Sequence, residues 1–186
     1  MTAVSTETAV PGYEAATWNI DPIHSEVGFS VRHMMVSKVR GRFTSFSGEI
    51  VTAQDPTQSS VTAEIDLSSI STGQEQRDEH IKSADFFEVE TYPTMTYRST
   101  GVRRHGDDHS LDGKLTLKGV TKDVPLRLEL NGFGPDAYGG TRAGFSATGE
   151  INRRDFNVNF NAPMANGGAV VADKIALHLE IEAVKA

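Results

Sequence analysis

The sequence predicts an all-β fold, an antiparallel up-and-down β-barrel of about eight strands with one helix covering its mouth. Three observations carry that expectation. Apolar and polar residues alternate with a period of two through much of the chain. Turn residues punctuate the alternating runs at short spacing: Asp55-Pro56, Gly106-Asp107-Asp108, Lys118-Gly119, Gly134-Pro135-Asp136 and Gly139-Gly140. Only one stretch breaks into helical spacing, so strands do not alternate with helices as they would around a parallel sheet.

Taken in order, residues 1–16 are small, polar and turn-prone, and read as a flexible N-terminal arm ahead of a single barrel domain, 17–186. Val27, Phe29 and Val31 then alternate with Gly28, Ser30 and Arg32. Further strands are expected around Phe43 to Val51, Val61 to Leu67, Met95 to Val102, Ser110 to Leu117, Val124 to Leu130, Arg142 to Ile151 and Ile175 to Ile181. Each has one apolar face and one wet face. Between Thr72 and Phe87 the spacing changes. Thr72 and Glu75 stand at capping-box distance, and Arg77, His80, Ile81 and Ala84 recur at helical intervals, so one helix is expected there.

Composition excludes several functions. The chain has 186 residues, enough for one sizeable core, with 38% hydrophobic and 23% charged residues. A net charge of −7 gives no general attraction to nucleic acid. The absence of cysteine rules out disulfides, iron–sulfur clusters and thiol nucleophiles. No run of apolar residues is long enough for a transmembrane helix. Met1 to Ala16 lack a basic start and an apolar core, so no signal peptide is read and a cytoplasmic location is expected.

Five segments occur in an order that is similar to one known family: WNIDPIHSEVGFSVRHM (18–34), VRGRFTSFSGEI (39–50), SSISTGQEQRDEHIKSADFFEVETYPTMTYRST (68–100), LDGKLTLKGVTKDVPL (111–126) and INRRDF (151–156). Across nearly everything from Trp18 onward the chain resembles the YceI-like family, polyisoprenoid-binding proteins with a lipocalin-like barrel. The resemblance implies an isoprenoid lipid, a polyprenyl phosphate or isoprenoid quinone, held in the lumen for carriage, storage or buffering. The family usually carries glycine after the Asp-Phe pair, where this chain has Asn157. A changed backbone over residues 157–166 is therefore expected.

The inward positions expected to line an apolar lumen are Phe29, Val31, Phe43, Phe46, Ala63, Ile65, Met95, Tyr97, Leu115, Leu117, Phe145, Ala147, Leu177 and Leu179. Alternation alone favours a filled core; the resemblance reverses those odds. Small inward residues, Ala63, Gly113, Ala143 and Ala147, would leave room for a ligand. His33 shares parity with Phe29 and Val31 and should point inward. With Arg77 and His80 it is the candidate polar head-group site, arginine being suited to phosphate by its forked donors. The plainer alternative has Arg77, Asp78 and His80 anchor the helix to the rim. His24, His33 and His80 match no metal-ligand spacing, so no metal is expected. His105, His109 and His178 read as surface residues, and Arg153-Arg154-Asp155 as a solvated turn or rim salt bridge. Asp21, His24 and Ser25 lie too close along one extended segment to converge on a reacting atom. They lack a nucleophile elbow, and a role in fixing the strand entry is expected instead. No catalytic residue and no cofactor beyond the lipid is assigned. An enzyme acting on an isoprenoid lipid and a ligand-free barrel working through a protein partner are the alternatives, and a homodimer stays open.

Overall fold

The computed structural model describes residues 10–106, 108–162 and 170–186. Twelve strands form one sheet: β1 (Ala16–Ile20), β2 (Glu26–His33), β3 (Ser37–Phe43), β4 (Phe46–Thr52), β5 (Ser60–Asp66), β6 (Ile70–Ser71), β7 (Thr94–His105), β8 (Asp108–Leu117), β9 (Val120–Asp123), β10 (Leu126–Pro135), β11 (Thr141–Asn152) and β12 (Val171–Lys185). They merge into eight staves, because four staves are broken in the middle. β1 and β2 lie end to end along β12, with Ile20 opposite Ala183 and Glu26 opposite Glu180. β3 and β4 follow them on the other side, β6 and β5 follow in turn, and β9 and β10 share β8. Every pairing is antiparallel between sequence neighbours, and β12 closes on β1 and β2, so the sheet has no open seam along that stave.

Several local readings need correction. The helix is shorter than expected: α1 spans Glu75–Lys82, and its N-cap is Gln74 without a side-chain cap. Thr72 does not cap it. Gly73, at φ +83°, turns the chain between them, and the Thr72 hydroxyl donates to Asp78 Oδ1 instead (2.5 Å). The stave before Phe43 begins at Ser37, six residues earlier than the alternation suggests. Gly41 interrupts the apolar pattern there because the Phe29 ring lies where a Cβ would stand. Asn157 takes φ +59°, ψ 25°, a left-handed conformation open to asparagine as well as glycine, so a left-handed residue survives the loss of glycine. Residues 163–166 of that loop, and 1–9 of the expected arm, lie outside the described residues. The rest of the arm is tied down at Tyr13, whose hydroxyl donates to Ala53 O (2.6 Å).

The two barrel ends differ. At one end, here the floor, Trp18 is wholly buried and donates from Nε1 to Thr52 Oγ1 (2.8 Å). Phe133 packs edge-on against Trp18, Tyr13 and Phe145, with ring centroids 5.2–5.9 Å apart. Ala143 and Ala183 complete this cluster. At the other end, the mouth, lie the β2–β3 turn, α1, the β8–β9 turn and the segment following β11.

Candidate functional site

A cavity of about 450 Å³ occupies the barrel interior. All fourteen positions expected inward line it, from Phe29, Val31, Phe43, Phe46, Ala63, Ile65 and Met95 to Tyr97, Leu115, Leu117, Phe145, Ala147, Leu177 and Leu179. They converge because antiparallel register, kept over these stretches, holds one side-chain parity facing in: Phe145 opposes Leu130, Ala147 opposes Leu128, and Leu179 opposes Ala147 across the next stave. The wall is almost wholly apolar along its length. Such a cavity offers a ligand few hydrogen bonds and much surface to bury.

The expected roles of two small residues are corrected here. Gly113 opens no space, because the Tyr97 ring lies over it; the Tyr97 hydroxyl donates to Val124 O (2.8 Å), and burial pushes the phenol pKa up. Ala143 belongs to the packed floor rather than the cavity wall. Ala63 and Ala147 do face the cavity. Their short side chains face the space a ligand would use.

Polar groups gather at the mouth. His33, Arg77 and His80 all line the cavity there. Arg77 donates from Nε to Thr72 Oγ1 (2.7 Å) and from Nη2 to Thr72 O (2.8 Å), while Asp78 Oδ1 accepts from Thr72 N (2.9 Å). Thr72 is thus the hub that fastens α1 to the end of β6. The anchoring alternative holds for these bonds, with the difference that Asp78 takes Thr72 rather than an arginine. His80 Nε2 lies 2.8 Å from Asp85 Oδ2, and its ring sits edge-on between Phe86 and Phe160. Helix attachment and cavity lining are therefore combined in the same two side chains.

Arg153 and His109, both lining the cavity, depart from the sequence expectation. Arg153 is no solvated turn residue: it is 3% exposed, and its guanidinium donates to Val158 O (2.7 Å), Phe160 O (2.8 Å), Ala172 O (3.0 Å) and Val171 O (3.3 Å). It gathers two chain segments at the rim, while its neighbour Arg154 pairs with Asp173 on the surface (2.8 Å). His109 is half-buried and lines the cavity instead of the outer surface, and burial, helped by Arg104, pushes its imidazole pKa down. Its shared parity with Leu111, Leu115 and Leu117 is the signal that finds it.

The Asp21–His24–Ser25 group lies elsewhere, on the outer surface at the break between β1 and β2. Ser25 Oγ donates to Glu182 O (3.1 Å) and accepts from Glu182 N (3.0 Å), which fixes the broken stave onto β12. Asp21 Oδ2 accepts from Arg142 Nη1 (2.8 Å) and His24 Nδ1 (2.7 Å). Those two bonds, the arginine first, hold the Asp21 carboxyl well below the usual carboxylate range. Asp21, His24 and Glu182 stand close enough to share a metal ion. The Arg142 guanidinium, also bonded to Asp136 (3.1 Å) and 3.4 Å from Glu182, already supplies the cation at that point. His24 does not meet His33 and His80, which stand at the mouth.

Fold and cavity together define the class: a closed up-and-down β-barrel with one enclosed apolar chamber, as in lipocalin-like barrels. The model of the YceI-like domain matches residues 18–183, and the chain belongs to the YceI-like family. It is 41% identical over 147 residues to Protein YceI of Escherichia coli O17:K52:H18, which covers 77% of each chain. Among solved structures it is similar to the Campylobacter jejuni YCEI protein (TM-score 0.70, 26% identity, covering 100% of this chain and 98% of that one). Burkholderia cenocepacia BcnA shares the fold (TM-score 0.75, 23% identity, covering 88% and 98%). So does a polyisoprenoid binding domain from Saccharophagus degradans (TM-score 0.68, 17% identity, covering 93% and 100%). Among the described residues no helix is long and apolar enough to cross a membrane.

Proposed function

We propose that the chamber holds the apolar tail of an isoprenoid lipid, with its head group at the mouth beside His33, Arg77 and His80, and that the protein carries or stores this lipid without transforming it. The observation that carries this reading is an almost wholly apolar wall, with His33, Arg77 and His80 gathered at the mouth and a lone imidazole, His109, toward the other end of β8. The polyisoprenoid-binding neighbour of the same fold supports it.

The energetics suit a tail-dominated ligand. Each methylene removed from water gains roughly 0.8 kcal/mol, so a tail of about twenty carbons gains on the order of 15 kcal/mol before costs. Ordering a flexible chain and losing its translational freedom offset much of that. Tight binding then needs few polar contacts, and the rim serves to orient the molecule and choose its head group. Arg77 keeps guanidinium donors beyond those given to Thr72, and a phosphate could use them.

The test is native mass spectrometry of the purified chain mixed with a prenyl phosphate or an isoprenoid quinone. One bound molecule, released chemically unchanged on organic extraction, is the expected result. A chain that takes up neither compound would refute the proposal. Release of an altered lipid would make the protein an enzyme on the same ligand.

A further inference from the structure

The tip of the β2–β3 hairpin carries an apolar cluster that nothing in the fold explains. Met34, Met35 and Val36 are 42%, 64% and 83% exposed, three consecutive apolar side chains, whereas the other exposed aliphatic, Ile23, stands alone. Phe160, at the same end, is also exposed. The backbone sharpens the point. Met34 and Met35 have φ of +52° and +62°, and Val36 N donates to His33 O (3.2 Å), so both central residues of the turn are left-handed. Asparagine, aspartate and glycine normally fill such positions, and methionine is strained there. Strained, unburied methionines bring the folded protein no packing in return.

The charge beside this tip is equally uneven. Residues 26–43 hold four cations, Arg32, Lys38, Arg40 and Arg42, against one acid, Glu26, in a chain of net charge −7. All four cations are exposed and share the outer parity of the hairpin, with Arg32 opposite Lys38 and Ser30 opposite Arg40. Among the described residues, none of the four lies within ion-pair distance of a carboxylate. The other flank of the mouth is acidic: residues 72–92 carry Glu75, Asp78, Glu79, Asp85, Glu88 and Glu90 against Arg77 and Lys82.

We propose that the β2–β3 tip docks the protein on an anionic lipid bilayer. Met34, Met35 and Val36 enter the interface, the four cations meet the lipid phosphates, and the acidic α1 flank faces away. An apolar tip with a row of unpaired cations behind it on one outer face is an arrangement that adds buried apolar area to attraction by anionic headgroups. Arg32, His33 and Val39 of the same hairpin line the cavity, so docking here would bring the mouth to the membrane. The docking surface itself does not depend on what fills the chamber.

The experiment is co-sedimentation of the full chain with vesicles of phosphatidylcholine, with and without phosphatidylglycerol. The expected result is binding to the anionic vesicles that weakens as salt is raised and is absent from neutral ones. The pair Lys38→Glu and Arg40→Glu should lower the vesicle affinity roughly tenfold or more. The pair Met35→Ser and Val36→Ser should also lower it. The pair Met34→Asn and Met35→Gly should weaken vesicle binding while raising Tm, because it relieves the turn. Ala147→Trp, which fills the chamber, should bind vesicles like the unaltered chain, so failure of the lumen reading and failure of this one give different patterns. Equal binding to neutral and anionic vesicles, or full binding by the charge-reversed hairpin, would overturn the proposal.

Discussion

The floor and the mouth of this barrel are made from the same eight staves, yet they are built on opposite principles. The floor is dry and filled: Trp18, Phe133 and Phe145 interlock, and the one indole N–H is bonded to Thr52. The mouth is made of polar side chains holding loops, with Arg153 on four carbonyls, Arg77 on Thr72 and His80 on Asp85. The difference gives the chamber two unlike ends. On the proposed function, a long apolar molecule would lie with its tail toward the aromatic floor and its polar end at the rim, beside Arg77, His33 and His80.

The comparison can be broken first at the floor. Trp18→Ala removes the largest fully buried side chain and should cost about 3–5 kcal/mol in denaturant unfolding. A loss under about 1 kcal/mol would mean that the floor is no packed plug. At the mouth, Arg153→Ala strips the guanidinium donor from the Val158, Phe160 and Ala172 carbonyls, while Val171 O keeps Asn161 Nδ2, and should cost about 3 kcal/mol. Because these bonds hold the rim, hydrogen exchange should rise around residues 158–160 while the floor strands stay protected. Uniform loss of protection would make the two ends one cooperative unit. Tyr97→Phe deletes the bond to Val124 O between them and should cost about 1 kcal/mol without changing lipid uptake.

The smallest effect is electrostatic and lies outside the chamber. Asp21 is held ionised by Arg142 and His24, so its folded-state pKa is lower than its unfolded value near 4. Its stabilisation is complete above about pH 4 and is lost as pH falls further toward the folded value. Thermal melts should therefore drop by a few degrees below about pH 4, and Asp21→Asn should lower Tm at neutral pH while flattening that acid limb. An unchanged limb would remove Asp21 from the pin.

What could be read in advance follows the same division. All fourteen residues expected to line the lumen do face the chamber, because long antiparallel pairings preserve parity from Leu126 to Leu130 or from Ile175 to Leu179, though Gly113 and Ala143 do not. The misses fall where pairing is interrupted or where chemistry misleads. Phe133 was not anticipated on the floor, because the register shift between Leu130 and Gly132 reverses the parity that alternation implies. β3 was hidden by Gly41, whose role is to lie beneath the Phe29 ring. Arg153 reads as a surface charge, since nothing in INRRDF reveals that four carbonyls, two from the segment after it and two from the start of β12, will converge on it. His109 shares the inward parity of Leu111, although its polarity points to the surface. The resemblance to the family extended the reading from an alternating core to a chamber, a step that alternation alone does not support.

The chamber itself is the claim on which the rest stands, and Ala147→Trp addresses it most directly. The indole would project into the space beside Leu128 and Leu179 while the outer faces of the staves stay untouched. Titration of an isoprenoid quinone into both proteins, read by fluorescence and native mass, should show one molecule bound to the unaltered chain and none to the variant, with circular dichroism unchanged. Equal uptake by a correctly folded variant would place the lipid somewhere other than this chamber and contradict the account.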